Sequence, residues 1–176
     1  MEPREDKYIP LNIKDGISVS DEEALWLYEK SRTMTSIVEL GSFQGKSTHA
    51  LLTGCSGKVF AVDHFKGSSD PNDQTYHKNG KKVFLDNVGR LTNLVLLEMR
   101  SEEASNQFGD KSVDMVFIDA GHLYWEILVD IKLWLPKTKT LICGHDFVLP
   151  GVGRAVTEMF GEIYKRPLPN IWEVNL

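Results

Sequence analysis

Apolar positions along the chain fall into short continuous runs separated by stretches of helical spacing. The runs at 37–40, 58–62, 94–97, 113–118 and 140–143 are too short for helices and end at turn residues, which predicts buried strands. Between them, residues 18–33 open on the capping cluster Ser20-Asp21-Glu22-Glu23 and carry an apolar stripe of Leu25, Trp26 and Tyr28. Residues 45–53, 81–91, 102–108 and 152–160 also suit helices. The clearest helix is 123–135, where Leu123, Ile127, Ile131 and Leu135 share one face, Asp130 and Lys132 lie off it, and Pro136 ends it. Two final strands, 163–165 and 171–174, are joined through Pro167-Leu168-Pro169-Asn170.

Strands alternating with helices require right-handed crossovers and a parallel sheet covered on both faces. The last two strands are too close in sequence for a crossover, so they pair antiparallel. The predicted class is α/β: a doubly wound, mostly parallel seven-stranded sheet with a reversed last strand. A length of 176 residues suits one domain. Within it, a helical N-terminal extension covers 1–35 and the alternating unit covers 36–176. Residues 64–80, rich in Gly, Ser, Asp, Asn and Pro, form a long surface loop.

Composition narrows the function. A net charge of −5 argues against a nucleic-acid partner, which requires a concentrated basic face. The one basic run, His77-Lys78-Asn79-Gly80-Lys81-Lys82, sits among polar residues and reads as solvated surface. No apolar stretch is long enough to span a membrane, and residues 1–7 lack the apolar core of a secretion signal. Cys55 and Cys143 have no metal-like spacing and belong to apolar surroundings, consistent with reduced thiols and a cytoplasmic location.

In open parallel sheets, ligands collect at the carboxyl ends of the strands. Four polar segments fall there: 41–47, Asp63, 119–122 and His145-Asp146. Gly41 and Gly45 flank a strand-to-helix turn, where glycine lets backbone approach a ligand and helix N–H groups face it. Gly45-Lys46-Ser47 imitates a phosphate loop, and 115–119 imitates the magnesium strand of an NTPase. However, Leu40 stands where the first glycine of that loop belongs, Gly41 is one residue too close, and Glu39 would repel phosphate. Asp63 closes the second strand some distance after the glycine turn, placed to accept hydrogen bonds from both ribose hydroxyls of a nucleoside.

Together these segments resemble the class I S-adenosylmethionine-dependent methyltransferases. More narrowly they resemble small O-methyltransferases related to macrocin- and cephalosporin-tailoring enzymes. The matching pieces are Val38-Glu39-Leu40-Gly41-x-x-x-Gly45-x-Ser47, Asp63-x-Phe65-x-Gly67, Phe84-Leu85-x-Asn87-Val88, Phe117-Ile118-Asp119-x-x-His122-x-Tyr124, Gly144-His145-Asp146-Phe147, Pro150-Gly151-Val152 and Ile171-Trp172-Glu173-Val174. The resemblance runs over about 36–174 and implies a Rossmann-like methyltransferase fold. It further implies that Gly41, Ser42, Phe43, Gly45 and Ser47 surround the methionine part of the cofactor, with Glu39 holding its amino group. Asp63, with His64 beside it, would bind the ribose. Ser101 and Glu102 fall where relatives contact the adenine, although Met99-Arg100-Ser101 departs from the small turn common there. Asp119 would border the cofactor.

Methyl transfer to a hydroxyl needs the acceptor positioned and its proton removed, by a general base or with help from a metal. His122 is the candidate base, sharing a turn with Asp119; a packing histidine in the first helical turn is the competing assignment. In metal-dependent relatives, the position of Asp119 binds the ion together with the positions of His145 and Asp146. Those relatives commonly carry a carboxylate where this chain has His145, and magnesium prefers oxygen while imidazole better suits manganese, iron or zinc. Three arrangements stay open: a different divalent ion, Asp119 and Asp146 alone, or no metal. Phe65, Tyr76, His77, Trp125 and Phe147 are candidates to line the pocket of a small-molecule acceptor, a sugar or natural product. The extension 1–35 could act as a lid or as a homo-oligomer interface. Rival readings are a non-enzymatic cofactor-binding domain, a P-loop NTPase, and an iron site built from His122, His145 and one aspartate.

Overall fold

The computed structural model describes residues 8–15, 17–67 and 79–176. The first helix, α1 (Asp21–Ser31), starts where the sequence places its cap. The Ser20 hydroxyl accepts from the Glu23 N–H at 3.2 Å, and the Glu23 carboxylate accepts from the Ser20 N–H at 2.7 Å. Its buried face differs from the expected stripe: Ala24, Leu27 and Ser31 point inward, while Leu25 is 45% exposed. Ser31 on this face packs directly against Gly54 of the next helix, where a Cβ would meet its hydroxyl.

The strands are β1 (Ser36–Leu40), β2 (Lys58–Val62), β3 (Leu94–Leu97), β4 (Val113–Ile118), β5 (Thr138–Gly144), β6 (Lys165–Leu168) and β7 (Ile171–Asn175). Interleaved with them are α2 (Lys46–Gly54), α3 (Gly80–Val88), α4 (Ser101–Ser105), α5 (Tyr124–Trp134) and α6 (Pro150–Phe160). The sheet order is β3-β2-β1-β4-β5-β7-β6. All pairs from β3 to β5 are parallel, whereas β7 runs antiparallel to both β5 and β6. The predicted seven strands, doubly wound with a reversed last strand, are therefore the observed ones.

The sixth strand lies later than its apolar residues suggest. It runs through Arg166, Pro167 and Leu168, and only Pro169 and Asn170 are left for the turn. Pro167 cannot donate to a ladder, but β6 is the edge strand, where no ladder bond is required on the outer side.

Alternation along the strands divides the core. Ile37, Val59, Ala61, Met115, Phe117, Leu141 and Cys143 pack on one side against α1, α2 and α3. Val38, Leu40, Val62, Val116, Ile118 and Ile142 pack on the other against α4, α5 and α6. Tyr8 and Val19 join the first of these clusters, so the N-terminal segment shares its core with the sheet. Lys46 is 6% exposed and pairs with Asp21 at 2.8 Å, fastening α1 to the start of α2. No described helix is long and apolar enough to cross a membrane.

The helix α5 corrects a second expectation. Asp130, which lies off the apolar stripe that predicts the helix, is 5% exposed and lies with Ile127, Ile131 and Trp134 on the inward face. Its carboxylate accepts from the Ser101 hydroxyl, which in turn accepts from the Trp134 indole N–H at 2.9 Å. A polar residue can occupy an inward position when partners satisfy it there.

Candidate active site

The strand order reverses between β1 and β4, and a crevice opens at their carboxyl ends, as it does in open α/β sheets. The turn from β1 into α2 forms its floor. Gly41 and Gly45 take φ of 83° and 89°, and Phe43 takes 44°. At Gly41 a Cβ would lie 2.1 Å from the Asp119 carbonyl oxygen, so the glycine is required by space as well as by backbone angle. Asp63 holds the turn from beneath. One carboxylate oxygen accepts from the Ser42 and Phe43 N–H groups at 3.0 and 2.9 Å, and the other accepts from Phe65 N–H at 2.6 Å.

Glu39 is fully buried under the same turn, accepting from the Ser42 and Thr48 hydroxyls. Burial pushes its carboxyl up to about 7, only partly offset by those hydroxyls. One of its oxygens has no partner among the described residues. Lys46, which in a phosphate loop would face the ligand, instead turns toward Asp21 and the Ile13 carbonyl.

Above this floor lies a cleft of about 840 Å³, lined by Gly41, Phe43, Asp63, His64, Ser101, Glu102, Asp119, Trp125 and Asp130, among others. Burial pushes the Asp130 carboxyl up to about 7. Next to the cleft is a chamber of about 60 Å³, bounded by Ser42, Ser47, His122 and Asp146, with Ile17, Ser18 and Val19 on its N-terminal side. The two spaces share Gly41, Phe43, Asp119 and Ala120. Phe65 and Trp125 line the cleft, but Phe147 does not. Its ring lies tilted against Tyr164, 5.2 Å between centroids, in a separate shallow groove, with the Arg166 guanidinium 4.4 Å from it. Tyr76 and His77 lie outside the described residues.

The ends of β4 and β5 bring four predicted residues together. His122 Nε2 is 2.9 Å from one Asp146 oxygen, and His145 Nδ1 is 3.3 Å from the other. Asp119 stands 3.6 Å from the same His145 nitrogen. Asp146 reaches both histidines from a left-handed backbone (φ 57°), a strained conformation for a residue with a side chain. Burial works against a charge on His145, but Asp119, Asp146 and Glu23 outweigh it and push the imidazole up to about 12. Burial likewise raises Asp146, and hydrogen bonds from His122 and His145 reverse that to leave it well below the usual carboxylate range. Asp119 is raised, chiefly by burial.

The fold is that of solved methyltransferases. An O-methyltransferase from Bacillus cereus in complex with S-adenosylhomocysteine superimposes with a TM-score of 0.68 at 16% identity, over 91% of this chain and 83% of that one. TomG from Streptomyces achromogenes, an O-methyltransferase of tomaymycin synthesis in complex with S-adenosylmethionine, gives 0.66 at 14% identity, over 90% and 82%. At the sequence level, residues 38–147 match a family model described as a methyltransferase domain. The chain belongs to that methyltransferase domain family. The matched span runs from the β1 strand through the His145-Asp146 turn and so contains the whole floor of the crevice. The chain is also 28% identical over 149 residues to the uncharacterized protein y4gI of Sinorhizobium fredii; the match takes in 79% of this chain and only 16% of that much longer protein.

Three residues at this crevice were not anticipated. Glu23 of α1 lies 3.2 Å from His145 Nε2, Asn170 of the β6–β7 turn lies 3.2 Å from the same nitrogen, and Asp130 faces the cleft. Only Glu23 had a sequence signal, as the third residue of the capping box, and that signal concerned the helix rather than the crevice.

Proposed function

We propose that the protein is an S-adenosylmethionine-dependent O-methyltransferase acting on a hydroxyl of a small molecule, a sugar or natural product, with His122 as general base. The observation that carries this reading is the junction at Gly41, Phe43, Asp119 and Ala120, where the large cleft meets the small chamber holding His122. The cleft has room for a nucleoside with an amino-acid tail. The chamber admits little more than the reacting end of an acceptor.

In this assignment Asp63 accepts from the ribose while keeping its grip on the turn, since a carboxylate has more lone pairs than the three N–H groups occupy. Ser101 and Glu102 lie toward the adenine end, and Gly41, Ser42, Phe43 and Ser47 toward the methionine end. When bound, the sulfonium supplies the methyl group and a good leaving group. The protein's task is to orient the hydroxyl and take its proton. An imidazole that donates Nε2–H to Asp146 carries its lone pair on Nδ1, and the carboxylate stabilises the imidazolium that forms.

Asp119, His145 and Asp146 also fit a divalent metal, because one donor atom from each lies within 4.8 Å of the others. Their mixed nitrogen and oxygen set suits manganese, iron or zinc better than magnesium. Such an ion, held by these three residues, would supply a positive charge to offset the negative charge that develops on the acceptor oxygen.

Calorimetric titration with S-adenosylhomocysteine, with and without manganese or magnesium, tests the assignment. Saturable binding is expected. Absence of binding under every condition would overturn the methyltransferase reading, and ATP binding in its place would point to a nucleotide hydrolase.

A further inference from the structure

The N-terminal helix contributes a carboxylate to the centre of the site. Glu23 and His145 are 9% and 6% exposed, and the Glu23 Oε2 to His145 Nε2 distance is 3.2 Å. The groups facing His145 are Glu23 and Asn170 at Nε2, and Asp119 and Asp146 at Nδ1. The Asn170 amide nitrogen can only donate, and it does so to the Asp146 carboxylate at 3.4 Å, which leaves the Nε2 proton to Glu23. The Nδ1 edge of the ring therefore faces Asp119 and Asp146, which line the small chamber, and the Nε2 edge faces α1.

We propose that Glu23 is a positioning residue: it holds the Nε2–H of His145 so that Nδ1 is presented to Asp119 and Asp146. The assignment does not depend on the charge of the ring. As an imidazolium, His145 donates Nε2–H to Glu23 and Nδ1–H to the aspartates. As a neutral ring beside a metal, it still donates Nε2–H to Glu23, and Nδ1 becomes the ligand. Carboxylates behind metal-binding histidines act in this way, fixing tautomer and ring orientation.

Glu23 is itself anchored. The same Oε2 accepts from the Ser20 N–H, which fixes the carboxylate at the start of α1. The Asp21–Lys46 pair then ties that turn of helix to the floor of the crevice, and Lys30–Glu173 at 2.5 Å ties its far end to β7. The capping box thus does two things with one side chain: it starts the helix and it aims a histidine just past the end of β5, more than a hundred residues away.

The test uses Glu23→Gln in the full chain, because glutamine preserves the capping box while removing the charge. The imidazole nitrogens are followed by NMR on protein labelled in its histidines, with His145→Asn supplying the assignment. In the unaltered protein, the His145 Nε2–H is expected as a low-field, slowly exchanging proton. In Glu23→Gln it should move upfield and exchange faster, since charge-assisted hydrogen bonds are the stronger ones. Manganese affinity, where the unaltered protein binds the ion, should fall on the order of 10- to 100-fold, while affinity for S-adenosylhomocysteine stays the same. An unchanged His145 signature in Glu23→Gln overturns the proposal. A protein whose His145 signal responds to Glu23→Gln but which never binds S-adenosylhomocysteine would retain this inference and lose the methyltransferase reading.

Discussion

His122 Nε2 and the Asp146 carboxylate meet at 2.9 Å, across the ends of two adjacent parallel strands, with Asp146 held at a φ of 57°. The pairing joins two neighbouring loops, those that follow β4 and β5. The strain at Asp146 is sustained because both of its oxygens are engaged, one by each histidine. Replacing His122 by alanine is expected to lower kcat by roughly 10²- to 10⁴-fold, the usual contribution of a positioned base. Affinity for S-adenosylhomocysteine should be unaffected. Activity equal to that of the unaltered protein would remove His122 from the mechanism.

Gly41→Ala tests the floor of the crevice. The added methyl group would meet the Asp119 carbonyl at 2.1 Å and would sit on a backbone with φ of 83°. A loss on the order of 2–4 kcal/mol in urea unfolding is expected, together with weaker cofactor binding. A fully stable variant would show that the β1–α2 turn can move away from Asp119.

Asp63→Ala removes a carboxylate that accepts from three backbone N–H groups and lines the cleft. Two effects should appear together. The melting temperature should fall by about 2–4 °C for each kcal/mol lost. The Kd for S-adenosylhomocysteine should rise by at least tenfold, or about 1.4 kcal/mol. A lower melting temperature with unchanged Kd would confine Asp63 to a structural role.

Asp130 gives a pH prediction. Burial pushes its carboxyl up to about 7, above its value in the unfolded chain, so the folded protein binds this proton more tightly. The resulting stabilisation is complete below about pH 4 and is lost as the pH rises through 7. Asparagine cannot titrate. Between about pH 4.5 and pH 8, the unfolding free energy of Asp130→Asn should therefore fall less steeply than that of the unaltered protein, by up to about 4 kcal/mol. Glu39, raised for the same reason, leaves a residual slope in both. Parallel curves would show that Asp130 does not hold the proton.

Much of this molecule was legible in its sequence because the relevant signals are local. A short apolar run followed by a polar turn marks a strand and its end, and in a parallel sheet the ends of strands are where ligands bind. Gly41, Asp63, Asp119, His122, His145 and Asp146 therefore converge on one crevice for a reason visible in the one-dimensional pattern. The capping box at Ser20 and Glu23 was legible in the same way, since it spans a single helical turn.

Other features depended on how the elements pack. Periodicity left Asp130 off the apolar stripe because it records where apolar residues lie, and it cannot record a carboxylate buried against Ser101 with Trp134 completing the chain. Leu25 was placed inward for the converse reason: its hydrophobicity was visible, but the rotation of α1 that buries Ala24 and Leu27 instead was not. Glu23 shows both sides. Its place at the start of a helix follows from its neighbours in sequence, whereas its contact with His145 exists only because α1 lies across the end of β5. The sequence by itself determined the alternation of strands with helices and which polar residues stand at the strand ends, both governed by patterns within a few residues. Tertiary structure alone decided which buried polar groups meet, because burying a charge is tolerated only where distant partners compensate it.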